Sequence, residues 1–225
     1  MTADRSARKS SRDRRPSLSR AKVLDGALRL ADEEGLETLT MRRLGQALGV
    51  EAMTLYYHVA SKEEMLDALI DMVTDEFSYA PAGTDWKDAI RTIALSAYDA
   101  LSRHRWAASL SLSLRRPSPG RLRYMNSILG ILRDAGFSDD LVDRGYHAIE
   151  GHIMGFTLWE VGMNLPARED FEPMAASFLR EIDHEAYPHV VDHVGHHLRK
   201  AAPEEVGAFE FGLELVLDGL DRLRS

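Results

Sequence analysis

Residues 40–64 read TMRRLGQALGVEAMTLYYHVASKEE, and they decide how the rest of the chain is understood. Thr40 is a helix N-cap, and the helix it opens is expected to bury Leu44, Ala47 and Leu48. Gly49 closes that helix, because glycine alone takes a left-handed backbone without a Cβ clash, and Val50 then turns inward. A second helix is predicted around 52–59. It carries Thr54, Tyr56, Tyr57 and His58 beside little apolar bulk beyond Met53, Leu55 and Val59. That composition suits a helix whose outer face meets a nucleic acid, and two short helices about a tight turn are a helix-turn-helix. Ser61-Lys62-Glu63-Glu64 is a capping box for a third helix, with Met65, Leu69, Met72 and Val73 along one side. Upstream, Ser19 caps a helix striped by Val23, Ala27, Leu30 and Ala31, and Gly35 ends it.

The segment LGVEAMTLYYHVASKEEMLDAL, within a match over about 19–77, resembles the DNA-binding motif of the tetracycline repressor (TetR) family of bacterial regulators, close to the tetracycline repressor's own branch. The resemblance implies that the second helix of the motif enters the major groove. Thr54, Tyr56, Tyr57 and His58 would then contact DNA, and Lys62 would grip a phosphate. Arg42 and Arg43, just after Thr40, would meet backbone or base edges. Ala52 and Met53 stand where the tetracycline repressor has a glutamine and a proline that read bases, so the operator sequence does not carry over. The expected DNA-contacting set is Thr40, Arg42, Arg43, Ala52, Met53, Thr54, Tyr56, Tyr57, His58 and Lys62. Taken singly, Tyr56 and Tyr57 read better as packed core aromatics. Their order beside Gly49 and the Ser61 box favours the interface.

The formal net charge of −8 looks wrong for a DNA binder until its distribution is seen. Residues 1–20 carry a net +5, which leaves −13 on the remainder. A basic arm on an acidic body attracts phosphates locally while the body is held off. Residues 1–18 are expected to form a disordered basic arm, 19–67 the DNA-binding domain, and 68–225 a larger domain that binds an effector and dimerises. There is no cysteine, hence neither a disulfide nor a thiolate nucleophile. No run reaches the eighteen or so apolar residues of a membrane span, and the N-terminus lacks the apolar core of a secretion signal, so a cytoplasmic protein is expected.

Beyond a break at 81–84, helical periodicity recurs over about 85–103, 106–114, 119–135, 139–162, 172–186, 188–200 and 204–223, with no strand alternation. Ser118 caps the third of these with Pro119 at its first position, and Gly136 ends it. The fold class is therefore all-α: an N-terminal three-helix helix-turn-helix domain plus a larger helical domain. In 204–223, Phe209, Leu213, Val216 and Leu220 form one stripe and Phe211 and Leu215 another. The 139–162 helix brings the small residues Gly151 and Gly155. The family resemblance implies that these two helices pair with a second copy as a four-helix bundle. Gly151, Gly155, Phe209, Leu213, Val216 and Leu220 are the expected dimer interface. A two-fold dimer sets two reading helices about one DNA turn apart, roughly 34–36 Å, matching a palindromic operator in duplex DNA.

A pocket for an organic effector is expected from Trp106, Leu110, Met125, Leu129, Met154, Phe156, Trp159 and Phe178, with His147 and Glu150 as polar anchors. The histidine that binds metal in the tetracycline repressor falls near Ser109 or Ser111, where there is none, so no magnesium–tetracycline complex and no cofactor is expected. His189, His193, His196 and His197 share one helix face, which leaves a metal-binding or metal-responsive protein as an alternative beside an effector-blind DNA binder. His147 and His152 are five residues apart, about 140° around a helix, and so do not form a zinc pair. Without a phosphate loop, a Gly-x-Ser-x-Gly or a cysteine, an enzyme is not expected. The reading is a homodimeric repressor released from its operator by a small molecule.

Overall fold

Side-chain caps set where the helices begin. In the computed structural model of the protein, which describes residues 18–113, 118–163, 168–199 and 207–224, every regular element is helical. Helix α1 (Arg20–Glu34) starts where the Ser19 hydroxyl accepts the Lys22 amide, and α2 (Met41–Leu48) where Thr40 accepts that of Arg43. Gly35 and Gly49 follow these two helices at φ of 86° and 68°. Helix α3 covers Ala52–Leu55, and α4 spans Lys62–Asp75. The box at Ser61 is formed: Ser61 accepts the Glu64 amide at 3.1 Å, and Glu64 reaches back to the Ala60 amide at 2.8 Å.

The helices that follow are α5 (Trp86–Arg103), α6 (Ala107–Ser113), α7 (Pro119–Asp134), α8 (Asp139–Met163), α9 (Arg168–Glu181), α10 (Pro188–Arg199) and α11 (Ala208–Arg224). Ser118 caps α7 with Pro119 inside its first turn. Helix α9 stops at Glu181, short of the expected 186. The Asp183 carboxylate accepts the amides of Glu185 and Ala186, a local turn that competes with further helix. The chain divides into two units, 1–69 and 70–225, and the division falls inside α4, which runs unbroken through it. The expected basic arm lies almost wholly outside the described residues.

The first unit is organised by close approaches. Val23, Ala27 and Leu30 of α1, Leu44 of α2, Leu55 of α3 and Met65 and Leu69 of α4 are all buried. A Cβ at Gly26 would lie 2.8 Å from a Leu48 methyl, so that glycine sets how near α1 and α2 come. Gly45 does the same at the turn, where a Cβ would stand 2.8 Å from the Val50 carbonyl oxygen and 3.2 Å from the Ala52 nitrogen. Ala47, expected to be buried, is exposed, because it faces away from this crossing.

The second unit is built on α8. Val142, Gly145, Ile149, Ile153 and Thr157 recur every three to four residues and are buried. Gly145 lets Leu132 of α7 and Leu220 of α11 both come within van der Waals reach. Helix α11 turns Phe209, Leu213, Leu217 and Leu220 inward. Its polar flank is fixed to α5 by Arg91, which donates to both oxygens of Glu214 at 2.6 and 2.9 Å, and by Lys87 beside Asp218 and Asp221. The Glu214 carboxylate holds the Arg91 guanidinium above its ordinary pKa, and its own falls.

This geometry corrects the expected dimer face. Phe209, Leu213 and Leu220 belong to the interior of a single copy, and Val216 is half-buried. The reason is the ring and methyl surface of α8: His152 stacks on Phe209 at 4.8 Å, and Leu220 fills the space at Gly145. The outward stripe of α11 is the other one, with Phe211 and Leu215 each 61% exposed. Gly151 and Gly155 lie open on α8, along with Trp159 and Met163.

Candidate functional site

The helix-turn-helix presents a short outward face. Leu55 and Val59 are fully buried and anchor the segment from behind. Met53 and Tyr57 stand four residues apart on the opposite side, 71% and 88% exposed, with Tyr56 between them at 43%. Regular helix ends at Leu55, earlier than expected, and the backbone continues as four-residue turns, with the Tyr57 amide donating to the Thr54 carbonyl and the His58 amide to that of Leu55. Two adjacent aromatics, a histidine and β-branched Val59 are weak helix formers, and the Ser61 cap begins a new helix at once. Ala52, Thr54, His58 and Lys62 are half-buried at the edges of this face.

The two arginines of α2 differ. Arg42 is exposed, whereas Arg43 is held by Glu34 of α1, Nε and Nη2 donating to the two carboxylate oxygens. That pairing raises the Arg43 pKa, chiefly through the hydrogen bond. A second bond ties α1 to α4: Arg20 donates to Glu64 and lowers its carboxyl pKa. Thr40 spends its hydroxyl on the cap of α2. The expected contact residues therefore fall into an exposed group of Arg42, Met53, Tyr56 and Tyr57, and a group engaged in or bordering the fold.

In the second unit the ten expected pocket residues do not share one site. Glu150 and Met154 line a small enclosed cavity, about 20 Å³, together with Ile70, Val73, Tyr124 and Arg121. That is room for about one water molecule. Tyr124 donates to Glu150 at 2.6 Å. Burial pushes the Glu150 carboxyl above its ordinary pKa, against the opposing pull of the Tyr124 bond and the Arg121 and His147 charges. Burial, then Glu150, pushes the Tyr124 hydroxyl well up. Leu110 is buried in α6, and Trp106 is half-buried with its ring against His104. Met125 and Leu129 lie in an open groove on α7, while His147, Trp159 and Phe178 are exposed.

Phe156 marks a larger recess. Tyr98 of α5 stacks flat on Phe209 at 4.1 Å, and Phe156 meets both rings edge-on. With Leu95, Glu160 and Glu210 these rings line a recess of about 430 Å³. Tyr98 donates to Glu160 at 2.7 Å, and burial together with that carboxylate pushes its hydroxyl up to about 12. Tyr98 and Tyr124 were not among the expected residues. The available signal was each glutamate, since a carboxylate in an apolar helix stripe such as Ile149-Glu150-Ile153 needs a donor from a facing helix. Among the described residues no three histidine, aspartate or glutamate side chains converge to hold a metal, and the His197 side chain lies outside them. No helix among the described residues is long and apolar enough to cross a membrane.

Comparison with known proteins agrees in both units. Residues 23–69 match the family described as bacterial regulatory proteins, tetR family. Residues 80–224 match the tetracyclin repressor-like C-terminal domain. The tetracycline repressor protein class D of Escherichia coli is 36% identical over 147 residues, which is 64% of this chain and 65% of that protein. The chain spans less than two thirds of the length of the first curated relatives it matches. A crystal structure of a possible TetR family transcriptional regulator from Streptomyces coelicolor A3(2) superposes with a TM-score of 0.75 at 32% identity, covering 91% of this chain and all of that one. The Streptomyces coelicolor TetR family protein ActR in complex with (S)-DNPA follows at 0.70 and 25%, covering 93% and 100%.

Proposed function

From the premise that the chain belongs to the TetR family of bacterial regulators, we propose that it is a homodimeric transcriptional repressor, freed from its operator by a small organic molecule. One observation carries the DNA-binding half: Met53 of α3 and Tyr56 and Tyr57 of the turn after it stand exposed beside a glycine-tight turn. Exposed Arg42 and half-buried Lys62 flank them and supply phosphate contacts. The dimer forms through Gly151, Gly155 and Trp159 of α8 with Phe211 and Leu215 of α11, an apolar face wide enough to need a cover. Replacing Phe211 and Leu215 together by aspartate is expected to convert a dimer to monomers in analytical ultracentrifugation.

The effector is taken up in the second unit. The cavity at Glu150 is too small for an organic molecule, whereas the recess of Tyr98, Phe156 and Phe209 has the volume such ligands require. The ActR complex with (S)-DNPA supports a small-molecule ligand in a relative. An effector acts only through its differential affinity for two states, and α4 is the covalent route by which a change in one unit reaches the other. The reading makes the protein a non-enzyme that works in the cytoplasm.

The test is fluorescence anisotropy of the full chain against the intergenic DNA flanking its own gene, across a salt series. Binding that weakens steeply with salt and is lost in a Tyr56→Ala/Tyr57→Ala variant is expected. Equal affinity for that DNA and for random duplex at every salt concentration overturns the operator assignment.

A further inference from the structure

The outward face of α3 lacks the side chains that read guanine and adenine. Arginine and lysine pair with guanine, asparagine and glutamine with adenine, and apolar groups meet the thymine methyl. From Val50 to Ser61 the chain has no arginine, lysine, asparagine or glutamine. What α3 and the turn after it hold out to solvent is a thioether and two phenol rings, Met53, Tyr56 and Tyr57. Glu51, at its start, is the segment's one carboxylate, an acceptor for a cytosine amino group. Of the two guanidiniums of α2, Arg43 is tied to Glu34 and Arg42 is exposed.

We propose that α3 reads its operator chiefly through thymine C5-methyl groups, with Met53 and Tyr57 as the specificity-determining pair. The inference rests on the regulator reading above and adds the chemistry of the partner. Met53 stands on α3 and Tyr57 in the turn that follows it, both exposed, and together they offer an apolar surface to base edges. A flexible thioether adapts to methyl groups at more than one position. The tyrosine hydroxyls add donors that suit thymine O4, which reinforces the choice of thymine over cytosine, or a phosphate oxygen, which carries no sequence information. An apolar face on this helix gains most where a methyl replaces water against it, since each buried methyl-sized group is worth about a fourfold change in affinity.

The experiment begins by enriching a random-sequence duplex pool on the full-length protein. The selected duplex is then resynthesised with deoxyuridine at one thymine at a time, which removes the methyl and leaves the pairing edge intact. Binding is expected to weaken about fourfold for each contacted methyl, and about 16-fold when one is removed at each half-site. At the same positions a Met53→Ala variant is expected to be indifferent to the substitution, the signature of a shared contact in a double-mutant cycle. Placing 5-methylcytosine in an otherwise uracil-weakened site is expected to restore part of the affinity. Uracil at every thymine with binding unchanged within twofold overturns the inference and leaves the regulator reading standing. A pool that enriches no sequence overturns the regulator reading, and the inference with it.

Discussion

The two units use the same residue type in opposite ways. In the helix-turn-helix, Tyr56 and Tyr57 hold their rings out in water. In the second unit, Tyr98 and Tyr124 are packed against phenylalanines and give their hydroxyls to Glu160 and Glu150. A buried phenol is accounted for by the fold, because its ring fills space and its donor meets an acceptor. The exposed pair that follows the four-residue α3 has no such partner within the unit's core. Exposure against engagement thus separates the residues proposed to recognise DNA from the residues that hold the fold.

The sharpest way to break this comparison is truncation. Tyr124→Ala is expected to cost about 3–5 kcal/mol in urea unfolding, as for a large aromatic removed from a core, whereas Tyr57→Ala stays within about 0.5 kcal/mol. Equal costs would dissolve the distinction. Gly45→Ala comes next. Its Cβ meets backbone rather than a movable side chain, so about 1–3 kcal/mol is lost, and DNA affinity falls with it because α3 is displaced. Proteins carrying Gly45→Ala and Tyr57→Ala should therefore both bind DNA poorly, and only the first should melt early.

Tyr124→Phe isolates the hydroxyl. It leaves Glu150 without its donor and is expected to cost about 1–3 kcal/mol by thermal unfolding near pH 7. A pH series sharpens the point. Burial raises the folded-state pKa of Glu150, so its contribution is complete below the ordinary glutamate value, about 4.3, and is lost as pH rises through the folded value. Glu150→Gln should match the natural protein in the acid and become the more stable of the two toward neutral pH; a gap of constant size would show that the carboxyl's ionisation is not felt. The smallest expected effect is Ser61→Ala, about 1 kcal/mol from the lost cap, read by chemical denaturation.

Much of this was legible in one dimension because caps and stripes are local. Ser19, Thr40 and Ser118 each sit where their hydroxyl accepts an amide three residues on, and Gly35 and Gly49 take positive φ. Which stripe of α11 faces inward was not legible. Phe209-Leu213-Leu220 and Phe211-Leu215 are both apolar, and the choice is made by Gly145 and His152 of α8, far earlier in the chain. The pocket suffered similarly: large side chains were visible in the sequence, but whether Trp159 and Phe178 point to solvent depends on neighbours that periodicity does not name. Gly26 and Gly45, which set two helix crossings, carry no side-chain pattern at all.

The division inside α4 bears on how such a protein can be altered. A loop between units tolerates added or missing residues, but a helix does not stretch. One residue inserted between Leu69 and Ile70 shifts the α4 residues that follow it by about 100° around the helix axis and about 1.5 Å along it. Exchanging reading heads between relatives is therefore a problem of phase, solved only by cuts at matched helical positions. Deletions and insertions at this joint should be rarer among viable variants than substitutions.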